Sequence, residues 1–132
     1  NAALTRWLLA VAKPEGVSLD AHAWEGLEYL EANSGPGAIR EVVEDFARDA
    51  LPRLERMRAA LDGGDMESLG RLAHDLKSNA ATLGASNLSD LAARIEGGAR
   101  EGESPDFGGL LEECRLRLPA LLRQLRRRIP AE

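Results

Sequence analysis

The residues of this chain best suited to chemistry lie in the stretch from Asp65 to Ala85, DMESLGRLAHDLKSNAATLGA. Read at about 3.6 residues per turn, it predicts a helix with Leu69, Leu72, Ala73, Leu76, Ala80 and Leu83 on one face. His74 falls roughly 150° from that apolar stripe, so its imidazole points outward. One turn before and after it stand Gly70 and Ser78, with Ala81 a further turn on, so nothing bulky crowds the ring. Glycine inside a helix costs about 1 kcal/mol relative to alanine, so Gly70 implies a close approach to the backbone there. Arg71 and Lys77, three residues either side, give the imidazole two neighbouring cations. A neutral imidazole is a nucleophile at neutral pH, and a phosphoryl group arriving on it would be partly neutralised by both charges.

What must position this helix is legible in the composition. The 132 residues carry 44% hydrophobic but only 4% aromatic side chains, and the abundance of Ala and Leu favours helices over sheet. One domain is expected over residues 1–132. The single cysteine, Cys114, excludes an internal disulfide and fits a reducing, cytoplasmic setting. It falls within an apolar stripe, so a core thiol is expected. No apolar run of membrane-spanning length occurs, so no membrane association and no signal peptide are expected. A formal charge of −5 argues against nucleic acid as the partner. Arg123, Arg126, Arg127 and Arg128 are read as cations that complement a helix C-terminus.

Residues 1–14 hold Leu4, Trp7, Leu8 and Val11 at helical spacing, a short helix closed by Lys13-Pro14, with Trp7 either a core plug or a docking residue. The bundle is expected over 18–132. Ser18 is the expected cap of a helix to about Glu31, with Leu19, Ala23, Leu27 and Leu30 inward and Trp24 near its edge. After NSGPG, Pro36 suits the first position of a helix whose stripe runs from Ile39 to Leu61, with a kink expected near Pro52. Asp65 caps the histidine helix and Gly84 stops it. Ser86 is the expected cap of a helix burying Leu88, Leu91, Ala92, Ile95 and Ala99, which makes 65–100 an antiparallel hairpin. Ser104-Pro105-Asp106 opens a last helix from Phe107 to Ile129, with a bend expected at Pro119. The fold class is all-α, an antiparallel four-helix bundle with an additional short N-terminal helix.

The run His74, Leu76, Lys77, Ser78, followed by Leu83, Gly84 and Ala85, resembles the core motif of histidine-phosphotransfer (HPt) domains, the carriers of two-component phosphorelays. Leu88, Leu91, Ile95 and Glu96 resemble that family's following helix, so the likeness covers most of the chain. It departs at Ser78, where the family most often has glycine. The resemblance implies that His74 accepts a phosphoryl group, through its distal ring nitrogen, from a phospho-aspartate on a response-regulator receiver domain. Lys77 would stabilise the phosphate, and Gly70, Arg71, Ser78, Ala81 and Trp7 would provide access and docking. Partners would be receiver domains, with a hybrid histidine kinase as a further candidate. The protein would be a monomeric phosphocarrier rather than an enzyme, with no cofactor of its own and Mg²⁺ held by the receiver.

Other chemistry lacks its residues. His22, the second histidine, sits in a different helix, and His74 has no metal-ligand spacing around it. No P-loop or kinase glycine-rich loop is present, so self-phosphorylation from ATP is not expected. Two alternatives stay open on sequence: a receiver-binding bundle that never carries phosphate, and the dimerisation and phosphoacceptor domain of a histidine kinase. The latter also carries an acidic residue directly after its histidine, as Asp75 is here.

Overall fold

The computed structural model describes residues 19–102 and 106–130. The N-terminal helix expected over 1–14, with Trp7, and the expected cap Ser18 lie outside the described residues, as do Ser104 and Pro105. Five helices follow: α1 Ala21–Ser34, α2 Ala38–Asp62, α3 Met66–Thr82, α4 Ser86–Glu101 and α5 Phe107–Arg128. Helices α2 to α5 form a ring in which each packs on its two neighbours in sequence and α5 closes back on α2. With short turns between consecutive members this is an antiparallel four-helix bundle, and α1 lies across α2 and α3. The core runs along the axis through Val43, Met57, Leu69, Leu76, Ile95, Cys114 and Leu125, all fully buried. Burial pushes the Cys114 thiol up to about 11, as expected of a core residue.

The helix starts correct several sequence expectations. Asp20 caps α1, its carboxylate accepting from the His22 amide at 3.0 Å, so the helix begins at Ala21 and extends past Glu31 to Ser34. Trp24 is buried rather than at the edge, and Leu30, expected inward, is exposed. Pro36 stands in the turn before α2, not at its first position. The cap residue Gly37 has no side chain to offer, and Glu31 of α1 reaches across to accept from the Ile39 amide at 3.1 Å. Ser86 is the first residue of α4 and not its cap; Ala85 holds that position without a side-chain bond. Asp65 and Asp106 cap α3 and α5 by accepting from Ser68 and Gly109 amides. Pro52 and Pro119 both lie inside helices that run on through them.

The turn between α3 and α4 fixes the end of the hairpin. Gly84 has φ 75°, and the amides of Gly84 and Ala85 bond back to the carbonyls of Ala81 and Ala80, which satisfies two carbonyls at the end of α3. Its carbonyl also accepts from the Asp20 amide at 2.8 Å. A Cβ at Gly84 would stand 2.9 Å from Asp20 backbone atoms, so both the conformation and the close approach demand glycine. At the other end of the molecule's sequence, Arg126 of α5 holds both carboxylate oxygens of Glu44 on α2, and Arg128 lies 4.8 Å over the Trp24 ring. Two of the C-terminal arginines are thus tied to neighbouring helices as well as placed in the last turn of α5.

Candidate functional site

Midway along α3, His74 projects away from the apolar stripe with 48% of its side chain exposed. The adjacent helix α4 supplies its partner. Glu96 sits among Leu88, Ala92, Ile95 and Ala99 on the face that α4 turns inward, and only 8% of its side chain is exposed. A carboxylate there needs polar partners, and it has three. Its Oε2 is 2.7 Å from His74 Nδ1 and 3.1 Å from an Nη of Arg100, and its Oε1 accepts from Lys77 Nζ at 2.6 Å. The Lys77 ammonium holds the Glu96 carboxyl below the usual carboxylate range against the opposing effect of burial, and His74 and Arg100 add to it. An ionised carboxylate only accepts, so Nδ1 donates its N–H to Glu96, and in the neutral ring this leaves the lone pair on Nε2. Glu96 therefore selects the tautomer that aims a free nitrogen at solvent.

The two helices are held in register around this group. Ser89 of α4 donates to the Lys77 carbonyl at 3.1 Å, and Gly70 of α3 packs on Ala99 and on the stem of Arg100. Asp75, the residue after the histidine, faces α2, where Arg53 reaches it at 3.4 Å while also holding Asp49 at 2.8 Å. Its carboxylate is thus engaged on the α2 side, away from the α4 side on which Glu96 meets His74.

The residues singled out from sequence divide accordingly. His74, Ser78 and Ala81 share the exposed face of α3, and the Ser78 carbonyl accepts from Thr82. Lys77 is beside the site but is committed to Glu96 and does not stand free near the imidazole. Arg71 turns back along its own helix to donate to Ser68. Gly70 is corrected: it is buried, and the close approach it permits is made by α4, not by an incoming partner. His22 is a surface residue, 95% exposed.

Sequence reasoning gave Glu96 and Arg100 no role. A signal for Glu96 was present: an acidic residue in register with the stripe Leu88, Ala92, Ile95 and Ala99 must be paired if it is buried. Arg100, one turn later on the same helix, is the natural second partner.

A bundle closed by helices of one chain, carrying an outward histidine with a protonated Nδ1 and an open Nε2, has the form of a phosphohistidine carrier. The sequence agrees: residues 41–128 match the family model of the Hpt domain, and the chain belongs to that family, the histidine phosphotransfer proteins of phosphorelays. Such domains interact with the receiver domains of two-component systems. A solved structure similar to this one is histidine-containing phosphotransfer protein B (HptB) from Pseudomonas aeruginosa PAO1. The two share 26% identity with a TM-score of 0.71, over 85% of this chain and 96% of that one. No curated protein matches the chain. Among the described residues no helix is long and apolar enough to cross a membrane.

Proposed function

We propose that His74 is the phosphoacceptor. Its Nε2 lone pair attacks the phosphorus of a phospho-aspartate on a receiver domain. The N–P bond forms as the bond from phosphorus to the aspartyl oxygen breaks, and the aspartate leaves as a carboxylate. The imidazole then bears a positive charge, with its Nδ1–H directed at the Glu96 carboxylate. Glu96 thus acts first by orienting the ring and then as counter-ion to it, as the carboxylate of a hydrolytic triad does for its histidine. Transfer of this kind depends on positioning and charge stabilisation, and the receiver contributes its own acidic pocket and Mg²⁺. Run backwards with a second receiver, the same steps pass the phosphoryl group on.

What supports this reading most is the 2.7 Å contact between Nδ1 and the buried, ionised Glu96. Ser78 and Ala81 leave the surface about the ring low enough for a receiver to approach. Lys77 acts through Glu96, which it anchors. The protein works as a monomeric cytoplasmic phosphocarrier, without ATP-dependent or hydrolytic activity of its own, and a hybrid histidine kinase is among its partners.

The test is His74→Gln. The variant is expected to fold with an unchanged helical spectrum and to take no label from a ³²P-phosphorylated receiver. Labelling equal to that of the unmodified protein would overturn the assignment.

A further inference from the structure

The hydroxyl groups around His74 differ in what they hold. Thr82 Oγ1 donates to the Ser78 carbonyl at 3.0 Å, Ser89 Oγ donates to the Lys77 carbonyl at 3.1 Å, and Ser68 Oγ accepts from Arg71 at 3.1 Å. Ser78 is different: it is exposed, and among the described residues its Oγ has no hydrogen-bond partner. A serine inside a helix can turn its hydroxyl back to the carbonyl four residues earlier, as Thr82 does. Ser78 leaves the His74 carbonyl alone and keeps its O–H uncommitted. Helix geometry directs that group. Ser78 follows His74 by one turn, which sets the two Cβ atoms about 5–6 Å apart. Helical side chains lean towards the N-terminus, so that of Ser78 leans towards His74. The ring turns Nδ1 to Glu96 at 2.7 Å and leaves Nε2 on the solvent side. Lys77 and Arg100 both hold Glu96, whereas Ser78 carries an unengaged donor on the histidine's own face of α3.

We infer that Ser78 is a phosphoryl-binding residue, its hydroxyl donating a hydrogen bond to an oxygen of the phosphoryl group on His74. This rests on the assignment of His74 as phosphoacceptor. The serine keeps its proton throughout, and the bond to an anionic oxygen is of the stronger, charge-assisted kind. It exists only after transfer, because before transfer the hydroxyl faces water. A contact made only in the product favours that product, so Ser78 biases the equilibrium with the receiver towards phosphohistidine. Glycine at this position would leave the ring equally accessible but would offer no donor.

The experiment measures the equilibrium distribution of ³²P between receiver and carrier for the unmodified protein, Ser78→Ala and Ser78→Gly, at concentrations too low for the two proteins to stay bound. Access and docking alter how fast that equilibrium is reached but not where it lies, since free proteins stand on both sides of it. Ser78→Ala and Ser78→Gly are each expected to shift the distribution away from His74 roughly fivefold, as for one hydrogen bond to a charged acceptor at an exposed site. The ¹⁵N signals of His74 in the unphosphorylated proteins should be alike in all three, because the hydroxyl holds nothing before transfer. A distribution in either variant equal to that of the unmodified protein overturns the inference alone, even where the rate has changed. So does a change in the resting His74 signals, which would give Ser78 a structural role. Phosphate found in the unmodified protein on a residue other than His74, or on none, overturns the His74 assignment and the inference with it.

Discussion

His74 Nδ1 and Glu96 Oε2 stand 2.7 Å apart across the groove between α3 and α4, joining the one outward imidazole of α3 to the one buried carboxylate of the described residues. The pair makes an immediate kinetic prediction. Glu96→Gln preserves an acceptor for Nδ1–H but removes the charge that balances the phosphorylated ring, while Glu96→Ala removes both. Transfer should slow about tenfold in the first and about a hundredfold in the second, by analogy with the loss of carboxylate partners that orient metal-ligating histidines. Rapid-quench measurement with a phosphorylated receiver checks this. Equal rates in both variants and the unmodified protein would show that the imidazole needs no support.

Acid should reveal the same pair in stability. The folded-state pKa of Glu96 lies below its ordinary value of 4.5, so its contribution is complete above that value and is lost as pH falls through the folded one. Chemical denaturation of the unmodified protein and of Glu96→Gln should therefore give a gap in unfolding free energy that is widest near neutrality and shrinks below about pH 4.5. A gap independent of pH would mean that the carboxylate charge contributes nothing.

Gly70 packs against the following helix. A Cβ there would meet Ala99 and Arg100 at 3.7 Å, ordinary van der Waals distances, and the position is ordinary helix. Gly70→Ala should thus raise stability by about 0.5–1 kcal/mol through helix propensity, with transfer retained. Thermal unfolding and a transfer assay on the same sample decide it. Loss of transfer in a stabilised Gly70→Ala would return the residue to the docking surface.

Gly84 should respond in the opposite way. Alanine there would be held at φ 75° with its Cβ 2.9 Å from the Asp20 backbone. A loss of about 2 kcal/mol or more is expected, read from the denaturation midpoint. The fraction still folded should accept phosphate normally, because the turn lies at the end of the hairpin and not beside His74. A Gly84→Ala variant as stable as the unmodified protein would show that the turn adapts.

The α3–α4 hairpin was legible because its signals are local: a 3.6-residue stripe, an aspartate cap at Asp65 and a glycine stop at Gly84 all act within a few residues of themselves. The helix starts that went astray are those set from a distance. The amide of Ile39 is satisfied by Glu31 on the preceding helix, which no local rule at Pro36 anticipates. At the site, spacing placed His74 outward correctly, since that follows from one helix alone. The neighbours of Gly70, Ala99 and Arg100, come from the next helix and are not visible in the spacing of its own. The partner of Lys77 is likewise hidden from one helix alone, since Glu96 stands nineteen positions away. Periodicity reports which way a residue faces, and pairing across a groove adds what it meets there.

Among the described residues, the side chains that hydrogen-bond or ion-pair with the imidazole or its carboxylate come from α3 and α4, joined by one short turn, and the other helices pack against this hairpin. The reactive machinery is accordingly a self-contained cassette. Substitutions elsewhere on the bundle can retune which receivers it meets without disturbing how it carries their cargo.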